Sequence, residues 1–292
     1  MLEDTRPARR LDRFQPVRAS QVPKRRKPRV WPWVFLALIL IYLLAPLRTN
    51  ILLLGTDDSP QRGSVGRTDT IILATVLPTR PYLGLLSIPR DLWVNVPGVG
   101  EQRINTAYFF AEANEPGAGP RAAMQTINKN FGIPVNYYAL VHMYGLVGAV
   151  DALGGVDIQL NVPTGGWDAG RYHLDGTQAL EFVRERSSSD DFSRMKRTQT
   201  LMLSVISKAL QPASWTQLPA FVFSIFQAID TNIPVWQYPR LVLALLRAPL
   251  VGIDSRVIGR EMVTPFQTSA GAQVLAPNWD AINPVLLEMF GR

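Results

Sequence analysis

Acidic and basic side chains flank the short apolar runs in the first third of this chain. Asp57 follows the first run, and Asp69 opens the second. Ligands of an open α/β sheet gather at strand ends, so charges in these places can converge on one site. Two neighbouring carboxylates repel each other unless a cation lies between them, so the pair predicts a metal site if the two strands are antiparallel neighbours. Taken alone, both aspartates are more typical of turns and strand starts.

The composition restricts which metal such a site could hold. The chain has no cysteine and two histidines, His142 and His173. Thiolate catalysis, cysteine-ligated metals and a multi-histidine zinc site are therefore excluded, and a Ser-His-Asp triad would have to use one of these two histidines. Ligands that offer only oxygen favour Mg²⁺, with Mn²⁺ as the alternative.

A second group of charges lies between residues 184 and 199. Its members are Arg184, Arg186, Asp191, Arg194, Arg197 and Gln199. Arginine binds phosphate oxygens through two parallel hydrogen bonds and stays charged, so several guanidiniums beside a divalent cation predict a pyrophosphate site. Arg194 and Arg197 share a helix face, whereas Arg184 and Arg186 can reach one ligand only if their helix ends near them. A solvated helix face with local acidic partners is the alternative.

The apolar pattern predicts the elements that position these charges. Buried strands are expected at residues 50–55, 70–77, 82–88, 137–141 and 156–160. Helices are expected at residues 104–113, 120–131, 143–153, 176–183 (with Asp175 as its N-cap), 192–210, 216–230, 236–246 and 281–289. This alternation predicts an α/β/α sandwich with a mixed central sheet in one domain over residues 50–292.

The net charge of +7 lies in the N-terminal tail. Residues 1–30 contain ten lysines and arginines against three acids, which leaves 20 basic and 20 acidic residues in the rest of the chain. A neutral folded body does not favour nucleic-acid binding, so no nucleic-acid partner is expected.

An uncharged stretch from Val30 to Leu47 follows the basic tail, with Trp31 and Trp33 at its start. Its length and flanks predict a membrane anchor over residues 31–47, with the tail (residues 1–30) in the cytoplasm and the domain outside the cytoplasmic membrane. A cleaved signal peptide is disfavoured because no small-x-small site follows the stretch. A buried core helix is disfavoured by the basic tail that precedes it.

Seven ordered segments between residue 50 and about residue 205 resemble the LytR-CpsA-Psr family. They read NILLLGTD, GRTDTI, SIPRD, RINTAY, VDALGGVDI, LDGTQALEFVRER and DFSRMKRTQ. The resemblance implies a membrane-anchored, Mg²⁺-dependent phosphotransferase that moves a glycopolymer from a polyprenyl pyrophosphate carrier onto peptidoglycan.

The resemblance also implies roles for individual residues. Asp57 and Asp69 match the metal-binding carboxylates, and the matching pyrophosphate ligands are Arg67, Arg90, Arg184, Arg186 and Arg194. Arg103 stands where the family often has lysine, and Gln199 lies one place beyond the position of a family glutamine, which is Thr198 here. Arg197 joins the pyrophosphate set through the helix face that it shares with Arg194.

The expected catalytic residues are Asp69, Arg90, Asp91 and Asp191, with Asp91 or Asp191 as the base that accepts the proton of a sugar hydroxyl. Two other functions use the same residues. A hydrolase would cleave the polyprenyl pyrophosphate with water as acceptor, and a non-catalytic envelope regulator would only bind the lipid or a partner protein.

Overall fold

The computed structural model describes residues 30–45, 47–56, 66–77, 82–164, 166–185 and 191–291. The chain divides into two compact units between Leu40 and Ile41. Helix α1 (Trp31–Leu44) has fourteen residues and no charged side chain. Within the described residues, no helix has both the length and the apolar character needed to cross a bilayer. The membrane anchor over residues 31–47 therefore stays a prediction.

All strands found among the described residues lie in the second unit. They are β1 (Thr49–Thr56), β2 (Thr68–Leu77), β3 (Tyr82–Ser87), β4 (Trp93–Val96), β5 (Gly100–Arg103), β6 (Tyr137–His142), β7 (Val156–Leu160), β8 (Gly170–Leu174), β9 (Ile229–Thr231), β10 (Ile253–Val257), β11 (Val263–Gln267) and β12 (Gln273–Pro277). The helices after α1 are α2 (Thr106–Asn114), α3 (Gly119–Phe131), α4 (Met143–Ala152), α5 (Gly176–Arg184), α6 (Asp191–Leu210), α7 (Leu218–Ala228), α8 (Tyr238–Val251) and α9 (Trp279–Phe290).

Six of the strands form a mixed sheet in the order β10-β3-β2-β1-β6-β9, which confirms the predicted fold class. The pairs β1–β6 and β3–β10 are parallel, and the other neighbours are antiparallel. The carboxyl ends of β1, β3, β6 and β10 therefore meet the amino end of β2 along one edge. We call this the carboxyl edge, and its residues are Thr56, Asp69, Ser87, His142 and Val257.

Helices cover both faces of the sheet. Helices α2, α3 and α9 pack on the face that carries Leu52, Leu73 and Leu86. On the other face, Ile72 and Leu85 pack against residues of α6 and α8. Burying each such side chain contributes about 1.5–3 kcal/mol, so the central strands form a firm support for the residues at their ends.

The main differences from the predicted elements lie at the sheet's edges and in the hairpins. The helix predicted over residues 216–230 ends at Ala228, and residues 229–231 form the edge strand β9 instead. Strands β4, β5, β8, β10, β11 and β12 were not predicted. Strand β10 reads IDSRV, and all its residues are half-buried, so its sequence lacks the apolar run of a central strand.

Two glycines of α4 test how tightly α4 and α7 pack. An added Cβ at Gly145 would overlap the Cα and Cβ atoms of Ala228, whereas at Gly148 it would meet nothing within 4 Å. We expect Gly145→Ala to lower the free energy of unfolding by about 1–3 kcal/mol through overpacking. Gly148→Ala should raise it by up to about 1 kcal/mol, because alanine favours helix. Urea unfolding followed by circular dichroism measures both, and equal stability of the two variants would contradict this packing.

Candidate functional site

A salt bridge between Asp69 and Arg90 joins β2 to the loop after β3 at the carboxyl edge. The Nη1 atom of Arg90 lies 2.8 Å from Oδ1 of Asp69. The two side chains are 24% and 21% exposed, so a ligand can reach a pair that is largely shielded from bulk water. Strands β1 and β2 are antiparallel neighbours, with Gly55 opposite Thr70, so the condition stated for the two aspartates is met.

Arg90 binds two further carboxylates through its Nε atom. This atom lies 3.1 Å from Oδ2 of Asp191 and 3.4 Å from Oδ2 of Asp91. Burial lowers the pKa of Arg90, but the hydrogen bond to Asp69 and the charges of all three aspartates outweigh burial and raise it overall. Within the described residues, the Nη2 atom of Arg90 makes no hydrogen bond. One guanidinium thus joins three segments of chain and retains a donor for a ligand.

Asp91 is held between Arg90 and Arg103. Its Oδ1 atom lies 3.1 Å from Nε of Arg103, whose Nη2 atom donates to the carbonyl oxygen of Gln273 at 2.8 Å. Burial and a side-chain hydrogen bond with Asp191 raise the pKa of Asp91, and they outweigh the opposing charges of the two arginines. A raised pKa suits a carboxylate that accepts a proton from a hydroxyl group.

Helix α6 begins at the site. Its first residue, Asp191, faces Arg194 with 3.3 Å between Oδ1 and Nη2, and a carboxylate in the first turn is favoured by the helix dipole. Arg194 is buried and donates to the backbone carbonyl oxygen of Asp69 at 3.2 Å. Asp191 and Arg194 therefore connect α6 to both members of the Asp69–Arg90 pair.

Two more predicted arginines stack on aromatic rings, one contributed by α4 and the other by α2. The Cζ atom of Arg184 lies 4.8 Å from the ring centroid of Tyr144 on α4. The Cζ atom of Arg67 lies 5.5 Å from the ring centroid of Phe109 on α2. Stacking on a ring does not use the N–H groups of a guanidinium, so these ring contacts are compatible with the predicted role of both arginines as phosphate ligands.

Both ends of α5, the helix that carries Arg184, are fixed by side chains. At its start, Asp175 accepts from the backbone N–H of Gln178, whose side chain accepts in return from the N–H of Asp175. The predicted N-cap is therefore confirmed. At its end, Nε of Arg197 donates to the carbonyl oxygen of Phe182 at 2.7 Å, and Nη2 donates to that of Glu185. Helix α5 ends at Arg184, which is the condition under which Arg184 and Arg186 were expected to reach one ligand.

The structure gives Arg197 a different role from the predicted one. The side chain is completely buried, and its guanidinium donates to backbone carbonyls of the α5 end. A side chain with no exposed surface cannot contact a pyrophosphate without a change of structure. Arg197 therefore holds the C-terminal end of α5, next to Arg184.

The structure gives the amide of Gln199 a backbone partner. Gln199 is five residues after Arg194, which places it about 140° around α6 at 3.6 residues per turn. Its Nε2 atom donates to the carbonyl oxygen of Arg256 at 2.7 Å, so the amide ties α6 to strand β10. Gln199 lines a groove of about 610 Å³ between α6 and β10, which also includes Ser193 and the carboxyl-edge residue Val257.

The structure thus joins Asp69, Arg90, Asp91, Asp191, Arg103 and Arg194 in one network. Asp57 and Arg186 lie outside the described residues. Among the residues that the structure does describe, no three histidine, aspartate or glutamate side chains are grouped so that they could hold a metal ion. The metal site predicted at Asp57 and Asp69 stays a prediction.

Two residues at the carboxyl edge were not predicted. His142 ends β6, and its Nδ1 atom lies 3.5 Å from Oγ1 of Thr56 at the end of β1. Tyr144 follows and lies beneath Arg184. One indication for His142 was present in the sequence. This residue directly follows the strand predicted over residues 137–141, much as Asp57 follows the strand predicted over residues 50–55. Parallel pairing of β1 with β6 brings those two ends together.

Asp191→Asn tests the link between the two carboxylates. The substitution removes a hydrogen bond and a charge that raise the pKa of Asp91, so we expect this pKa to fall towards its ordinary value of 3.8. Protonated Asp91 stabilises the folded chain, and this stabilisation is lost as the pH rises through the folded-state pKa. In the variant the loss should occur at lower pH. A ¹³C NMR titration of the aspartate carboxyl groups measures the pKa of Asp91 in each variant. The exposed control Asp280→Asn should leave this pKa unchanged. An unchanged pKa of Asp91 in Asp191→Asn would contradict the link.

Arg197→Met tests the structural role of the buried arginine. The variant leaves the carbonyl oxygens of Phe182 and Glu185 without this donor in the interior, so we expect the free energy of unfolding to fall by about 2–4 kcal/mol. Lys196→Met removes the same charge from the exposed neighbouring position and should change it by less than about 0.5 kcal/mol. Similar unfolding midpoints in urea for the two variants would contradict the assignment.

Comparison with known proteins agrees with these features. The LytR_cpsA_psr family matches residues 46–275. A polyisoprenyl-teichoic acid–peptidoglycan teichoic acid transferase, TagU, of Oceanobacillus iheyensis is 39% identical over 249 residues, which cover 83% of this chain and 75% of that protein. A protein of the same name from Enterococcus faecalis is 32% identical over 192 residues, or 63% of this chain and 61% of that one.

A solved structure shares the fold. The crystal structure of protein gbs0355 from Streptococcus agalactiae superposes with a TM-score of 0.70 at 22% identity, covering 86% of this chain and 91% of that one. The family match extends over more than half of the chain. The protein therefore belongs to the LytR_cpsA_psr family, as its sequence motifs predicted.

Proposed function

We propose that this protein is a phosphotransferase that moves a glycopolymer from a polyprenyl pyrophosphate carrier onto a sugar hydroxyl of peptidoglycan. The observation that carries the proposal is the position of Arg90, which binds three carboxylates at the carboxyl edge and keeps its Nη2 donor for a ligand. The names of the relatives from O. iheyensis and E. faecalis, both transferases of teichoic acid to peptidoglycan, support the same donor and acceptor classes.

The charge of the site suits a pyrophosphate. Once the fully buried Arg197 is set aside, five described arginines of the predicted ligand set stand against three aspartates. The five are Arg67, Arg90, Arg103, Arg184 and Arg194. Because they come from different elements, they can surround the two phosphates from several directions. Phosphoryl transfer depends chiefly on such positioning and on charge stabilisation.

The proposed reaction exchanges one phosphorus–oxygen bond for another. The acceptor hydroxyl oxygen bonds to the phosphorus that carries the glycan, and the bond from this phosphorus to the bridging oxygen breaks. Polyprenyl phosphate leaves with the bridging oxygen and its electron pair. The hydroxyl proton passes to Asp91 or Asp191, and the raised pKa of Asp91 favours that residue. The arginines stabilise the charge on the transferred and departing phosphates.

The residues present fit a magnesium ion by their chemistry. Asp57 and Asp69 are oxygen ligands that follow and open neighbouring antiparallel strands, and the cysteine-free chain offers no soft ligand. We propose that these two aspartates hold Mg²⁺, with Mn²⁺ as a substitute. When bound, the ion would neutralise part of the negative charge on the pyrophosphate oxygens.

The proposed location is the outer face of the cytoplasmic membrane. Residues 31–47 would be a single membrane span with the basic tail in the cytoplasm, and residues 50–292 would be the extracytoplasmic catalytic domain. A tethered enzyme meets a bilayer-confined polyprenyl substrate at high effective concentration. We propose no nucleic-acid partner, because the excess positive charge belongs to residues 1–30.

A transfer assay with the full-length chain in proteoliposomes tests the proposal. The substrates are a radiolabelled polyprenyl-pyrophosphate oligosaccharide and peptidoglycan, with and without EDTA. We expect Mg²⁺-dependent attachment of label to peptidoglycan, which Asp69→Asn and Arg90→Lys each reduce by about 100-fold or more, because each removes charge stabilisation or the arginine fork. Arg171→Lys, an exposed substitution on β8, should leave the rate unchanged.

The rival functions give different outcomes in the same assay. Release of soluble glycan phosphate without attachment would favour a hydrolase that uses water as acceptor. Binding of the labelled lipid with no turnover would favour a non-catalytic envelope regulator. Attachment that EDTA does not reduce would contradict the role of the metal while leaving the transferase proposal intact.

A further inference from the structure

Large apolar side chains are exposed along α7, α8 and the turns that precede them. Each of the eight is at least 45% exposed, and four are aromatic. We call them the apolar face: Trp215, Val222, Phe223, Phe226, Val235, Trp236, Val242 and Leu246. Exposed apolar side chains in this number, close together in the chain, are typical of a site of interaction with a protein or a membrane.

The two halves of the apolar face are connected and carry little charge. Rings of Phe226 on α7 and Tyr238 at the start of α8 are in edge-to-face contact, with centroids 6.0 Å apart. From residue 215 to residue 246 the sequence contains two charged residues, Asp230 and Arg240. Arg240 is 3% exposed, so it adds no positive charge to the surface. A surface with so little charge needs an apolar partner.

The last turn of α1 and the residues that follow it are bound directly beside this face. The hydroxyl of Tyr42 donates to the carbonyl oxygen of Trp236 at 2.6 Å. Arg240 stacks on the ring of Tyr42, at 5.5 Å, and donates to the carbonyl oxygens of Ala45 and Leu47 at 3.2 and 3.0 Å. These contacts lie within the second unit and fix the end of the proposed membrane span to the start of α8.

We propose that the apolar face docks into the interfacial region of the lipid bilayer, so that the domain lies on the α7–α8 side. The proposal rests on the membrane anchor of the proposed function. A bilayer is the partner that the observations favour, because the face adjoins the end of the proposed span. Tryptophan and phenylalanine are also the side chains that partition into the headgroup boundary of a bilayer.

Docking would bring the site closer to its substrate. Strand β1 runs from Thr49, next to the end of the proposed span, to Thr56 at the carboxyl edge. Eight residues of strand measure about 23 Å, which would be the height of the site above the membrane if the domain stood on end. Helix α8 packs directly on β2 and β3. A domain that lies on α8 therefore keeps these strands about one helix diameter, roughly 10–12 Å, from the headgroups.

The absence of cysteine allows a direct test with single-cysteine variants of the full-length chain. Phe223→Cys and Trp236→Cys place a fluorescent NBD label on the apolar face, and Ala113→Cys places it on α2. Ala113 is the control because it is exposed in the opposite layer. Helix α2 also lies at the carboxyl edge, where Phe109 contacts Arg67, and so away from the end of the proposed span. The variants are incorporated singly into nanodiscs with or without nitroxide-labelled lipids. We expect nitroxide lipids to quench about half of the fluorescence at positions 223 and 236 and almost none at position 113.

Each alternative outcome overturns the docking proposal in a distinct way. Equal quenching at the three positions, or none, would show that the face does not meet the bilayer, while transfer activity in the same discs would leave the proposed function intact. Failure of the protein to co-purify with the discs would overturn the anchor as well. Energy transfer between differently labelled copies that persists in detergent would assign the face to a second copy. Unfolding midpoints close to that of the unsubstituted chain confirm that the variants are folded.

Discussion

The attraction between the Arg90 guanidinium and three carboxylates is the interaction on which the site depends. Asp69, Asp91 and Asp191 come from β2, the loop after β3 and the start of α6, and Arg90 contacts each of them within 3.4 Å. Without this positive charge, three partly buried aspartates would repel one another. Arg103 reinforces the cluster through Asp91, and Arg194 reinforces it through Asp191. Binding and acid–base groups therefore share one charge network, and a change in one member alters the others.

The sheet sets where this network lies. Antiparallel pairing of β1 with β2 and parallel pairing of β1 with β6 collect Thr56, Asp69 and His142 at one edge. The same strand β1 begins next to Arg48, which donates to the carbonyl oxygen of Met289 at the end of α9. The chain that enters the domain and the site are therefore at opposite ends of a single strand. This separation is the geometric reason why the orientation of the domain at a membrane would matter to a lipid-linked substrate.

Local sequence was sufficient for the central elements but not for the contacts between them. Apolar runs identified β1, β2 and β3, and Asp175 identified the start of α5, because these features depend on neighbouring residues. Edge strand β10 was missed because its pairing with β3 is a tertiary event. For the same reason, spacing placed Arg197 on the face of Arg194 but could not indicate that α5 would end against its guanidinium. Charge and spacing select candidate residues, and burial decides which of them can meet a ligand.

The most direct test of the proposed transfer is the chemical form of phosphorus in the product. The reaction of the lipid-linked oligosaccharide with peptidoglycan, catalysed by the full-length chain in proteoliposomes, is followed by ³¹P NMR. We expect the pyrophosphate signals to disappear, and a phosphodiester on peptidoglycan and polyprenyl monophosphate to appear in equal amounts. A glycan phosphomonoester in place of the phosphodiester would contradict the proposed transfer.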